Sequence, residues 1–296
     1  MIVASASLPP WALQLPQEYP FLFPFETRFS FLQSTSFGYA RLIAQWSGQQ
    51  RSGDEGRNED SFGFLGRLQR QKVRISRRHM LDSATKIFDL YASNSSILEI
   101  EYFEEVGTGL GPTLEFYSLV SQDFALRENS MWLDEQRNTS ALHVDAPLGL
   151  FPIPTRMDGK DADGRLHKFR TLGTFVAKAL LDSRMVQINL SPIFVQRLLG
   201  REVPMTLNTL AHVDSGLSSS LKALRDLTAD ALAALELDFT LPAEPTFSLK
   251  VDGENSTVSA ENFHLYMDGV LDAYLGSGLD AIVSAFRQGF DKVFGL

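Results

Sequence analysis

Residues His167 to Val186 carry helical spacing with apolar side chains on every side of the helix. A helix of that kind is stable only as a buried central element with other elements packed round it. Gly173 lies in its middle, where glycine costs about 1 kcal/mol against alanine, and the close approach of a second helix is the reason to keep it there. At roughly 100–200 residues per domain, the 296 residues hold one large or two small folded units round such a helix. With 44% hydrophobic and 21% charged residues, the composition is globular and excludes wholesale disorder.

The segment up to about Trp46 is rich in aromatic residues and proline and reads as an apolar arm laid over a core. A Gly/Ser/charge cluster from Ser47 to Asp60 reads as a linker or surface loop. Arg67, Arg70, Lys72, Arg74, Arg77 and Arg78 follow, alternating with Leu68, Val73 and Ile75, which fits a strand with one wet basic face better than a nucleic-acid arm. Met80, Ala84, Ile87, Phe88 and Tyr91 recur at helical spacing, and Ile97 to Phe103 alternate as a half-buried strand does. Gly107, Gly109, Gly111 and Pro112 end that strand, with Pro112 suited to the first turn of a helix through Phe116, Leu119 and Phe124. Residues 148–154 read as a short strand closed by prolines. The last third is mostly helical, with a Leu217, Leu221, Leu224 stripe, a hairpin between Phe239 and Val251, and two helices from about Ala260 and Leu279.

The chain has no cysteine, so disulfides, thiolate metal sites and cysteine nucleophiles are excluded for these residues. The first charged residue is Glu18 and prolines 9, 10 and 16 break the apolar run, so no secretory leader is read. The sequons at Asn94, Asn138 and Asn255 then carry no meaning. No stretch approaches the ~18 consecutive apolar residues of a membrane span. The glycine segment imitates a dinucleotide loop, but its spacing is Gly-x-Gly-x-Gly, and no second strand ending in an acid follows. Residues 158–164 resemble a calcium loop yet place Arg170 where a bidentate glutamate is required. His79, His143, His167, His212 and His264 lack zinc-protease spacing, and there is no Gly-x-Ser-x-Gly elbow. If the strand continues as far as Glu104 and Glu105, they point to opposite faces and do not share a site.

The net charge of −9 is placed unevenly. Residues 201–296 hold 6 Lys and Arg against 14 Asp and Glu, whereas residues 1–200 hold 21 against 22. An acid excess of this kind repels nucleic acid and anionic lipid and steers a basic protein partner toward itself; a solvated acidic face is the alternative.

Three separated segments occur here in the order found in the HECT family of ubiquitin-protein ligases: EYFEEVGTGLGPTLEFY, FRTLGTFVAKALLDSRMVQINLSPIFVQRLLG (residues 169–200) and AFRQGFDKVFGL (residues 285–296). Upstream, LPPWALQL and PFLFPFETRFSFLQSTSFGYARLIAQW most resemble the ubiquitin-fusion-degradation branch, which includes the thyroid-receptor-interacting HECT ligases. The resemblance implies an α+β, mainly helical amino-terminal HECT lobe, made of a larger subdomain and a smaller one inserted into it. By that analogy residues 1–66 are the arm and linker, 67–200 with 277–296 the larger subdomain, and 201–276 the smaller. The family's carboxy-terminal lobe, whose cysteine accepts ubiquitin as a thioester, has no counterpart in these residues.

The resemblance further implies recruitment of a ubiquitin-charged conjugating enzyme, with non-covalent ubiquitin as an additional partner, in protein ubiquitination and proteasomal degradation. The compartment implied is cytoplasm or nucleus, and no cofactor, metal, nucleic acid or membrane is expected. Alignment of the smaller subdomain puts Leu217, Leu221 and Leu224 on the family's groove helix and Leu235 and Leu237 on the next segment. Tyr266 and Val270 fall on groove aromatic positions, the second lacking its aromatic. Those residues serve equally as core. No catalytic residue is expected within these residues. A HECT-like interaction protein that binds conjugating enzymes without transferring ubiquitin needs the same groove, and a nucleotide-binding protein would need phosphate contacts at Gly107 to Gly111.

Overall fold

The computed structural model describes residues 9–36, 70–93, 96–134, 140–155, 162–242 and 244–293. The chain forms two compact units. One comprises Met1–Ile75, Asn94–Thr113 and Leu180–Arg184, and the other Ser76–Ser93, Leu114–Ala179 and Met185–Leu296. The expected linker at Ser47 to Asp60 and the calcium-like residues 158–161 lie outside the described residues.

In the first unit, α1 (Pro10–Glu18) and α2 (Phe25–Ser36) are joined through a 3-10 turn, and β1 (Arg70–Ile75) pairs in parallel with β2 (Ile97–Tyr102) from Arg70↔Ile97 to Ile75↔Tyr102. Among the described residues the arm buries its large side chains only in part, where the sequence led us to expect an apolar face laid over a core: Trp11, Tyr19, Phe21, Leu22 and Phe25 are exposed, and Phe23, Phe29 and Phe31 are half-buried. Helical folding turns successive residues round the axis, so a run dense in aromatics cannot turn them all inward. On the sheet, the basic face exists but is neutralised. Arg70 and Lys72 reach Glu99 at 3.3 and 3.4 Å, and Lys72 and Arg74 reach Glu101 at 3.6 and 3.0 Å. The Arg74 hydrogen bond holds the Glu101 carboxyl below the usual carboxylate range. β2 ends at Tyr102, and Glu104, left-handed at φ 66°, is exposed with Glu105 in the turn that follows.

The glycine segment is a structural turn. Gly109 has φ 86°, and the Thr113 hydroxyl donates to its carbonyl at 2.8 Å and accepts the Ile100 amide at 3.0 Å. No Cβ at Gly109 or Gly111 would meet a neighbour, so the positive φ makes Gly109 the position that needs glycine.

The second unit holds α3 (Met80–Tyr91) and most of both α4 (Leu110–Phe124) and the central helix α5 (Ala162–Leu181). Met80, Ala84, Ile87 and Phe88 are the buried stripe of α3, as their spacing requires. On α5, Phe169, Leu172 and Phe175 have no exposed surface. The Phe175 ring lies 6.0 Å from Phe88, 5.4 Å from Tyr117 and 5.6 Å from Phe124 between centroids. A second aromatic group forms round Phe194, with Phe169, Trp132, Phe151 and Phe286 at 6.2 to 6.4 Å. The sequence placed α5 five residues late. It ends near Ser183, left-handed at φ 53°, a role for which glycine would have been the readable signal.

Residues 148–154 do not form a strand. They make isolated bridges, Leu150 to Leu190 and Trp132 to Pro152, because Pro152 and Pro154 have no N–H with which to extend a ladder. The chain continues through α6 (Pro192–Leu198), α7 (Leu207–Ala211), α8 (Ser215–Arg225) and α9 (Ala229–Ala233). A hairpin of β3 (Thr240–Leu241) and β4 (Glu244–Ser248) follows, and then α10 (Phe263–Leu275) and α11 (Asp280–Asp291). The α+β, mainly helical class expected from the sequence is the one observed. Among the described residues no helix is long and apolar enough to cross a membrane.

Candidate functional site

The candidate face is built on α8. Asp214 caps its first turn by accepting the Leu217 amide at 2.7 Å, and Lys222 and Arg225 sit in its last turn, complementing the helix dipole. Leu217, Leu221 and Leu224, spaced four and three, occupy one side. Leu221 is the inward member at 1% exposure, while Leu217 and Leu224 are half-buried at the margin. Ser218 is buried too, its hydroxyl donating to the Leu207 carbonyl at 2.7 Å and pinning α8 to α7. α7 packs on both α8 and α10 and so joins the two halves of this region.

Leu235 is 48% exposed, and Leu237 is half-buried. They do not alternate along a strand. Ala234 to Glu236 is a turn with Glu236 left-handed at φ 48°, and extended pairing begins only at Asp238, opposite Thr257. The short α9 is followed directly by this turn, and the carboxylates of Asp226, Asp230 and Glu236 are exposed along the same stretch as Leu227 and Leu235.

Tyr266 and Val270 lie on α10. Tyr266 is 2% exposed and Val270 fully buried, so neither presents the open aromatic or aliphatic surface that groove positions would. Tyr266 packs edge-on against Phe239 at 5.9 Å and stacks on Phe263 at 6.1 Å, and Lys250 Nζ sits 3.8 Å over the Phe239 ring. Burial, with the nearby Asp238 carboxylate adding to it, pushes the Tyr266 phenol up to about 12. The seven sequence-identified residues thus divide into a buried set, Leu221, Tyr266 and Val270, and an accessible set, Leu217, Leu224, Leu235 and Leu237.

Further apolar side chains accessible in this segment were not identified from the sequence: Met205 at 55%, Leu227 at 42%, Val251 at 90% and Leu265 at 54% exposure. Leu265 was legible in principle. On α10 the buried positions include the stripe Phe263, Tyr266, Val270 and Tyr274, and Leu265 lies off that spacing. No group of acidic or histidine side chains suited to a metal ion occurs among the described residues.

Residues 118–296 match the family described as HECT-domain (ubiquitin-transferase). Ubiquitin fusion degradation protein 4 of Saccharomyces cerevisiae is 39% identical over 99% of this chain and 21% of its own length. A probable ubiquitin fusion degradation protein of Schizosaccharomyces pombe is 38% identical over 99% of this chain and 18% of its own. The E3 ubiquitin-protein ligase UPL3 of Arabidopsis thaliana is 37% identical, again over 99% and 18%. The chain spans about a fifth of the length of these curated relatives. A mainly helical fold round a largely buried central helix and a family match over more than half of the residues agree: this chain belongs to the HECT-domain family of ubiquitin transferases.

Proposed function

We propose that this chain is the recruiting lobe of a HECT ubiquitin ligase, docking a ubiquitin-charged conjugating enzyme on the segment 201–276. The observation that carries the reading is the accessible leucine set Leu217, Leu224, Leu227, Leu235 and Leu237, beside the exposed carboxylates of Asp226, Asp230 and Glu236. Accessible leucines beside these carboxylates, of which Asp226 pairs with Arg225 at 3.3 Å, fit a partner with an apolar tip and a basic surround. Leu221, Tyr266 and Val270 are buried and lie outside this accessible set. Covalent transfer needs a thiolate, and these 296 residues contain no cysteine, so the ubiquitin-accepting thiol is supplied outside them. The setting is protein ubiquitination leading to degradation, in cytoplasm or nucleus, with ubiquitin itself as a second, non-covalent partner.

Calorimetric titration with a panel of conjugating enzymes tests the reading. A saturable, one-to-one heat with at least one enzyme, weakened by Leu235→Ala, is expected; no heat with any of them would contradict it. A competitor that binds conjugating enzymes without transfer would titrate identically. It is separated by supplying the relatives' cysteine-bearing lobe in trans, which restores transfer only under the ligase reading.

A further inference from the structure

Residues 201–276 leave the rest of the second unit just after α6 and return just before the 3-10 turn Ser277–Leu279. Both junctions are glycines. Gly200 is left-handed at φ 68°, and a Cβ at Gly276 would collide with Asp272. Between them the segment keeps its own aromatic core of Phe239, Phe263 and Tyr266. Open space borders it on two sides. One cleft of about 370 Å³ lies between Leu133, Gly149 and Phe151 and the start of α8 at Val213 and Gly216. Another of about 330 Å³ lies between Trp132, Ile153 and Pro154 and the hairpin residues Leu241 and Glu244.

One side chain spans the junctions. Arg197, in the last turn of α6 before the outgoing glycine, places Nη2 3.2 Å from the Gly276 carbonyl oxygen and 2.6 Å from Asp280 Oδ1 on α11. A single guanidinium therefore ties the helix before the outgoing junction to the carbonyl at the returning junction and to the helix after it. Its planar fork of donors suits it to hold two acceptors at once, which a lysine ammonium does less rigidly. Asp272 holds the same corner from inside the segment, accepting the Ser277 amide at 3.1 Å as well as the Ser277 hydroxyl.

We propose that Arg197 is a positioning residue: by clasping Gly276 and Asp280 it fixes the angle at which the inserted segment, and the docking face on it, is presented. A body with its own core, held through two glycine junctions and bordered by clefts, has an orientation set by what bridges those junctions. The consequence for conjugating-enzyme presentation rests on the proposed function; the clasp itself does not.

The absence of cysteine makes the test direct, because Lys86→Cys on α3 and Ser220→Cys on α8 place spin labels at exposed sites and nowhere else in the full chain. With Arg197 present, the label-to-label distance distribution is expected to be single and narrow. Arg197→Met should widen it about twofold or split it, with helix content unchanged by circular dichroism. A folded Arg197→Met protein with the original narrow distribution would overturn the proposal. If Arg197→Met does not fold, the same reading is taken from Asp280→Ala, which removes the exposed anchor alone. Titration of the labelled proteins with a conjugating enzyme separates the two ideas. A widened distribution in a chain that binds no enzyme keeps the clasp and removes the docking reading, whereas binding with an unchanged distribution does the reverse.

Discussion

Gly173 of α5 and Gly289 of α11 are a reciprocal pair: a Cβ on Gly173 would collide with the Phe286 carbonyl, and a Cβ on Gly289 with the Arg170 carbonyl. The two helices cross at backbone contact, sealed where the Thr174 hydroxyl donates to the Gly289 carbonyl at 2.8 Å. Either glycine replaced by alanine should cost about 1–3 kcal/mol, because the obstacle is rigid main chain and not the tip of a flexible side chain. Urea unfolding measures this, and a cost below about 0.5 kcal/mol at both positions would show that the crossing is looser than described.

Gly109 and Gly111, on either side of the start of α4, should behave unequally. Gly109→Ala forces a left-handed alanine and should lose about 1–2 kcal/mol. Gly111→Ala, inside the helix and facing open space, should be neutral or stabilising by up to about 1 kcal/mol. Thermal melts of the two variants compare them directly; equal losses would contradict the turn geometry.

Tyr266 gives the fold an alkaline signature. Its phenol is pushed up to about 12 in the folded chain against an ordinary 10, so above pH ~10 the unfolded chain releases a proton that the folded chain retains. This component of stability is intact below pH ~10 and is lost as pH rises toward 12, with a slope approaching ~1.4 kcal/mol per pH unit. Tyr266→Phe should flatten that part of the profile in unfolding measured at pH 9 and pH 11. Parallel profiles for the two proteins would place the phenol in water.

Mixed with activating enzyme, conjugating enzyme and ubiquitin, these 296 residues should form no adduct that a thiol reductant releases, since they contain no cysteine. A reducible band on this polypeptide would require transfer chemistry absent from its side chains.

What the sequence made legible follows from what periodicity encodes. The buried stripe of α3, the β1 and β2 strands, the proline-started α4 and the hairpin near Pro242 were readable, because each carries a local signal of spacing or turn chemistry. Gly173 announced a close helix contact, but not that α11 would supply it. The end of α5 was misplaced because Ser183 does the work of a C-terminal glycine, and residues 148–154 looked like a strand because apolar content does not reveal a missing N–H. In the candidate site the resemblance selected residues without ranking them by depth. Tyr266 and Leu224 are alike in a one-dimensional pattern, and only packing against Phe239 and Phe263 sends the first inward.

That division between buried and accessible residues is where the account is most exposed. Calorimetric titration with a conjugating enzyme and thermal unfolding should be run together on Leu235→Ala, Leu224→Ala and Tyr266→Ala. The two leucine variants should lose about 1–2 kcal/mol of binding with melts close to that of the parent chain. Tyr266→Ala should lose about 3–5 kcal/mol of folding stability. Undiminished binding by both leucine variants, with unshifted melts, would contradict it.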